Sequence, residues 1–194
     1  MNSIKQTEVI CDNRLAGRLA LTKEGLCAFE YSAEWLNSGF SISPFELPLR
    51  SGVFVAKPSP FDGGFGVFDD CLPDGWGLLI LDRYLQKNGL NPRTLSLLDR
   101  LALVGSTGRG ALEFRPDKSV TSKQDYADFE KLALEAEQIL DSDDYTGEGI
   151  EEFQYRGGSP GGARPKIFAR YDGKEWLVKF RASTICIFFR LVLR

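Results

Sequence analysis

The sequence predicts an α+β protein: a small antiparallel β-unit with helices, followed by a glycine-rich stretch that opens onto a second hairpin. Three observations carry this. The first third holds short runs rich in β-branched and aromatic residues, separated by turn residues. The middle holds segments with apolar residues at helical spacing. Near the end, two β-type runs flank Asp172-Gly173, directly after a cluster of glycines.

Taken in order, residues 8–12 and 14–22 read as strands joined at Asp12-Asn13, a dipeptide that tolerates the left-handed conformation a tight hairpin needs. Residues 26–31 read as a third strand. Ser32 is placed to cap a short helix that Gly39 stops. Residues 40–49 carry Pro44 and Pro48 and read as an extended connector, with a further strand at 52–56. Asp74 is positioned as the N-cap of a helix through Leu85, with Trp76, Leu79, Ile80, Tyr84 and Leu85 as its apolar stripe. Asp70 and Asp74 also read as a carboxylate pair, although a cap and a solvated turn explain them more simply. Residues 94–103 read as an amphipathic helix, 105–110 as a loop and 111–114 as a strand. Residues 124–140 place Tyr126, Phe129, Leu132, Ala133, Ala136, Ile139 and Leu140 on one helical face. Residues 141–149 are acidic and read as a connector into 150–154. Phe153 and Tyr155 read as core aromatics or as a surface for a flat ring.

Composition narrows the function. The chain has 194 residues, a net charge of −3 and no histidine. The absent histidine excludes a Ser-His-Asp triad and the commonest metal ligand. The slight negative charge offers no general field for nucleic acid. Cys11, Cys27, Cys71 and Cys186 show no paired spacing, so no zinc site is expected, and free thiols in a reducing cytoplasm are. Residues 1–7 lack the apolar core of a signal peptide, and 185–189 are too short a run to cross a bilayer. No catalytic or metal-binding residue is assigned.

The chemistry concentrates in Gly157-Gly158-Ser159-Pro160-Gly161-Gly162-Ala163-Arg164-Pro165-Lys166. Glycines let the backbone approach a ligand closely, and successive N–H groups converge on anionic oxygen. Lys166 ends the loop, and Lys179 lies 13 positions on, across the turn at Asp172-Gly173, where a hairpin brings the two ammonium groups side by side. This is neither a Walker A loop nor a dinucleotide fingerprint. The residues alone leave two readings, a phosphate-holding loop or a plain turn.

Ser159 to Lys166, then Asp172-Gly173, then Trp176-Leu177-Val178-Lys179-Phe180 resemble the ATP loop of HipA-family serine/threonine kinases, the toxin kinases of bacterial toxin–antitoxin pairs. Phe68 to Gly77, with Leu72-Pro73-Asp74-Gly75, and Leu101 to Phe114 resemble N-terminal stretches of the same family, the second of which packs beside the nucleotide there. The resemblance runs over about 8–180. It divides the chain into a HipA N-terminal-like β-rich subdomain at 1–115, an amphipathic helix and acidic connector at 116–146, the start of a kinase-like N-lobe at 147–180 and an atypical tail at 181–194. It implies that Gly161, Gly162, Ala163, Arg164, Pro165 and Lys166 contact ATP phosphates, that Lys179 pairs with them, and that Ser159 is a regulatory serine the family autophosphorylates. Pro160 departs from a freely swinging loop, because proline stiffens the backbone there.

The tail at 181–194 does not resemble the family's continuation, the helical lobe that supplies the catalytic aspartate and the metal-binding residues. It reads either as a shifted or truncated frame or as a β-strand rich in Ile, Val and Phe. The expectation is therefore a kinase N-terminal part carrying the phosphate loop, with ATP and Mg2+ as cofactors of the intact family and little nucleotide binding by this chain alone. Implied partners are a HipB-like helix-turn-helix antitoxin, a separate kinase lobe and an aminoacyl-tRNA synthetase substrate. The alternative is a non-catalytic interaction module that restrains a kinase.

Overall fold

A computed structural model describes residues 3–120, 128–142, 145, 147–157, 162–181 and 185–190. The fold is α+β, and the chain divides into two compact units, each made of two stretches of sequence. The first holds residues 1–72 and 93–119, the second 73–92 and 120–194.

The first unit is a five-stranded antiparallel sheet. Strands β1 (Gln6–Cys11) and β2 (Arg14–Leu21) form the expected hairpin, with Asp12 and Asn13 at φ 51° and 58°, the left-handed pair that Asp and Asn tolerate. Next come β3 (Cys27–Tyr31), β4 (Val53–Val55) and β5 (Leu112–Arg115), in the sheet order β4-β3-β2-β1-β5. Between β3 and β4 lies α1 (Ala33–Ser38), where the Ser32 hydroxyl accepts from the Trp35 N–H and the Gly39 N–H returns to the Trp35 carbonyl. A short α2 (Gly66–Asp69) falls in a stretch that the sequence leaves unassigned.

The core of this unit is aromatic. Phe29, Phe68 and Phe114 are fully buried and meet in sequence, at ring separations of 5.5 and 6.4 Å. Helix α4 (Leu97–Val104) starts later than the expected 94, because Pro92–Thr94 form a separate 3-10 turn and Ser96 with Asp99 makes a capping box. Asp99 also accepts from the Ile4 N–H at 3.0 Å, so one buried carboxylate ties the chain's start to this helix. Cys11 and Cys27 are buried free thiols, and burial raises the Cys27 thiol to about 11, which leaves it protonated and inert at neutral pH.

The loop after α4 turns on Asp117, whose carboxylate accepts from the N–H and hydroxyl of Ser106 and the N–H of Ser119. Partial burial pushes this carboxyl up, but hydrogen bonds from Ser106 and Ser119 outweigh it and hold it below the ordinary 3.8. A lowered folded value means a contribution to stability that is present above 3.8 and fades as pH falls through the folded value. In an acid titration followed by thermal melting, wild type is expected to lead Asp117→Asn near neutrality and to converge with it as pH falls below the folded value. A constant gap across that range would disprove the assignment.

The second unit contains α3 (Gly75–Lys87), α5 (Phe129–Asp141), α6 (Gly149–Gly157) and the antiparallel strands β6 (Lys166–Tyr171), β7 (Lys174–Arg181) and β8 (Ile185–Arg190) in that sheet order. The tail's backbone at Ile185–Arg190 forms a strand, paired along β7. Helix α6 starts at the last residue read as connector and runs through 150–154, which the sequence leaves without an assigned element; Ile150, Phe153 and Gly157 lie on its buried side. Of the stripe expected on α3, Trp76, Ile80 and Leu85 are buried, Leu79 and Tyr84 pack partly buried, and Leu81 and Arg83 join them. Phe153 is fully buried in the core, edge-on to Trp76 at 5.2 Å and to Phe180 at 5.9 Å, so the ring-stacking role considered for it has no exposed face to work with. Residues 124–127 of the expected α5 lie outside the described residues; the helix that is seen opens at Asp128, whose side chain accepts from the Lys131 N–H.

Candidate functional site

The site is built from one end of the β6–β7 hairpin and the first turn of α3, all in the second unit. Asp172 and Gly173 turn the hairpin with φ of 51° and 67°. Their register sets Lys166 directly opposite Lys179. The two lysines that the spacing singled out are thus neighbours on one face, as residues opposed across antiparallel strands are.

Lys166 is buried at 3% exposure, while Lys179 is half-buried. Burial, and then the like charge of Lys179, lower the Lys166 ammonium below its ordinary 10.5; Asp74 acts in the other direction. The site sets two ammonium groups side by side and removes one of them from water, an arrangement that costs electrostatic energy. An anion held there recovers part of that unfavourable energy.

The loop reaches the lysines through Gly162, which has φ +97°, a conformation suited to glycine. Its carbonyl accepts from the Lys166 ammonium at 2.8 Å and from the Trp76 N–H at 3.1 Å. Its N–H donates to Asp74 Oδ1 at 3.2 Å. One residue, Gly162, is therefore gripped through the peptide groups on both its sides by the start of α3. Gly75 makes the approach possible: a Cβ there would lie 2.7 Å from the Gly162 carbonyl carbon and 2.8 Å from its oxygen. Beyond the loop, the Phe180 N–H bonds the Pro165 carbonyl at 2.9 Å, anchoring the start of β6 to β7.

Asp74 corrects the sequence reading. It occupies the N-cap position, yet its side chain makes no capping hydrogen bond and goes to Gly162 instead. The first-turn N–H of Trp76 goes the same way, to the Gly162 carbonyl, so the loop satisfies groups a cap normally would. Asp70, the other half of the considered pair, is exposed.

Of the residues singled out for nucleotide contact, Gly162, Ala163 and Arg164 are exposed, and Pro165 and Lys166 are buried. Ser159 and Gly161 lie outside the described residues. Asp74 and Gly75 are the contributors that sequence reasoning left out of this site. The motif Leu-Pro-Asp-Gly did stand out, but 88 positions separate Asp74 from Gly162 and no local pattern joins them. No group of three or more His, Cys, Asp or Glu able to hold a metal occurs among the described residues. No helix among them is long and apolar enough to cross a membrane.

Fold and site together define an α+β protein in which a five-stranded antiparallel unit accompanies a glycine loop set against paired lysines. The family model for the HipA N-terminal domain matches residues 7–115, more than half of the chain. The chain therefore belongs to the HipA N-terminal domain family. Comparison with curated proteins finds no match.

Proposed function

We propose that this chain carries the phosphate-binding part of a HipA-like serine/threonine protein kinase of a bacterial toxin–antitoxin pair, acting in the cytoplasm. The observation that carries the reading is the register that sets Lys166 opposite Lys179 beside a glycine-rich loop. Gly161, Gly162, Ala163, Arg164 and Pro165 would surround the phosphates of ATP with Mg2+, and the two lysines would neutralise them. Ser159 would be the regulatory site. A phosphate added there brings close to two negative charges toward the same lysines and competes with ATP for them.

Phosphoryl transfer also needs an aligned acceptor hydroxyl, a base and bound metal. On this reading the 194 residues alone hold Mg-ATP weakly and transfer nothing. Titration of isotope-labelled protein with millimolar Mg-ATP is expected to move the amide signals of Gly162, Ala163, Arg164, Lys166 and Lys179, with the response lost in Lys179→Ala. No movement, or movement confined elsewhere, would refute phosphate binding. Radiolabel passing from ATP to any protein with this chain alone would refute the expectation that it transfers nothing.

A second reading has its own support, because the family match ends at residue 115, ahead of the glycine loop. On it the chain is a non-catalytic module that binds a kinase or a HipB-like antitoxin. An aminoacyl-tRNA synthetase substrate belongs to the kinase reading only. Co-purification of the chain with a kinase encoded beside it, unaffected by Lys179→Ala, would favour the module.

A further inference from the structure

We propose that Asp74 is a built-in anionic occupant of the loop segment 162–166, a carboxylate that holds Gly162 closed against the start of α3 and competes with an external polyphosphate for it. The proposal rests on the phosphate reading of that loop and adds a means of regulating it.

The argument starts from what a phosphate oxygen would do here. It would accept a loop N–H and lie within electrostatic reach of Lys166. Asp74 already does both. Its Oδ1 accepts from the Gly162 N–H at 3.2 Å, and its charge favours the ammonium form of Lys166. The carboxylate is free for this because it makes no capping bond to its own helix. Neighbouring contacts hold the same arrangement. The Trp76 N–H and the Lys166 ammonium both take the Gly162 carbonyl, and Gly75 leaves no Cβ between helix and loop. In this state Gly162 turns its N–H toward a residue of its own chain, and Lys166 donates to a carbonyl of the same loop. A polyphosphate has to draw both away, against a carboxylate whose like charge opposes its approach.

Asp74 is a positioning residue here, acting on a ligand through the loop. The full chain serves for the test, in wild type, Asp74→Ala and Asp74→Asn forms. Amide hydrogen exchange across residues 162–166 reads the closed loop without any ligand. Inorganic tripolyphosphate, titrated calorimetrically at low salt, reads the competition. Asp74→Ala is expected to speed exchange at Gly162 about tenfold and to tighten tripolyphosphate binding by a similar factor, with the β6–β7 ladder amides unchanged. Asp74→Asn keeps an acceptor oxygen but no charge, so it is expected to preserve most of the protection while still tightening binding.

Unchanged exchange at Gly162 in Asp74→Ala overturns the closed loop. Faster exchange with equal or weaker tripolyphosphate binding overturns the competition and leaves the phosphate reading standing. Faster exchange with no binding by any of the three proteins overturns the phosphate reading itself, and the competition with it.

Discussion

Truncating Phe153 to alanine is expected to destabilise the second unit by about 3–5 kcal/mol, the range for a fully buried phenylalanine whose cavity cannot collapse. Phe153 has no exposed surface and lies between two other rings, Trp76 on α3 and Phe180 on β7. Both contacts are edge-to-face, at interplanar angles of 85° and 83°. Such a ring joins three elements at once, so removing it strips packing from α3, α6 and the hairpin that carries both lysines. A loss of this size is a large share of the about 5–15 kcal/mol that holds a domain together. Urea unfolding followed by tryptophan fluorescence measures the loss, and hydrogen exchange locates it. Phe153→Leu, which keeps most of the apolar volume, is expected to lose less than half as much. A loss below about 1 kcal/mol in Phe153→Ala would show that Phe153 is not the centre of this core.

Gly75→Ala is expected to be the most damaging single methyl group in the site. Gly75 has φ +47°, and forcing a non-glycine residue into such a region costs about 1–3 kcal/mol when surroundings hold it there. The larger effect is collision. The added Cβ would stand 2.7 Å from the Gly162 carbonyl carbon and 3.0 Å from the Ala163 nitrogen, both backbone atoms that no rotamer change moves aside. Either the first turn of α3 or the loop has to shift, and the Trp76-to-Gly162 and Asp74-to-Gly162 hydrogen bonds go with it. Amide exchange at Gly162 and Trp76 is expected to rise by a factor of about ten or more, alongside a lower melting temperature. Asn tolerates positive φ better than Ala, so Gly75→Asn separates the two causes. If collision dominates, Asn recovers little. Full recovery would mean that backbone strain alone was at stake.

These two positions show what was legible beforehand and what was not. Trp76 was readable as buried from helical spacing, and Phe153 as either core or surface; that they face each other was not. The pairing of Lys166 with Lys179 was readable, because a two-residue turn at Asp172-Gly173 determines the register of everything in its hairpin. The β1–β2 hairpin was readable for the same reason. Helix α6 was hidden by its glycines and acids, which look like a connector until Ile150 and Phe153 are seen against α3 and β7. The start of α4 slipped from 94 because Pro92–Thr94 take a 3-10 turn and Ser96 opens the helix in a capping box with Asp99.

What the sequence determined by itself was everything governed by neighbours a few residues apart: strand alternation, turn dipeptides, helical stripes, and the lysine pair that a tight hairpin brings together. What only the tertiary structure decided was the fate of groups with a choice of partners. Asp74 had its own helix to cap and took a glycine 88 positions away instead. A carboxylate bonds whichever donor is brought within about 3 Å in good geometry, and that distance is set by how α3 and the β6–β7 hairpin share one core rather than by any order of residues along the chain.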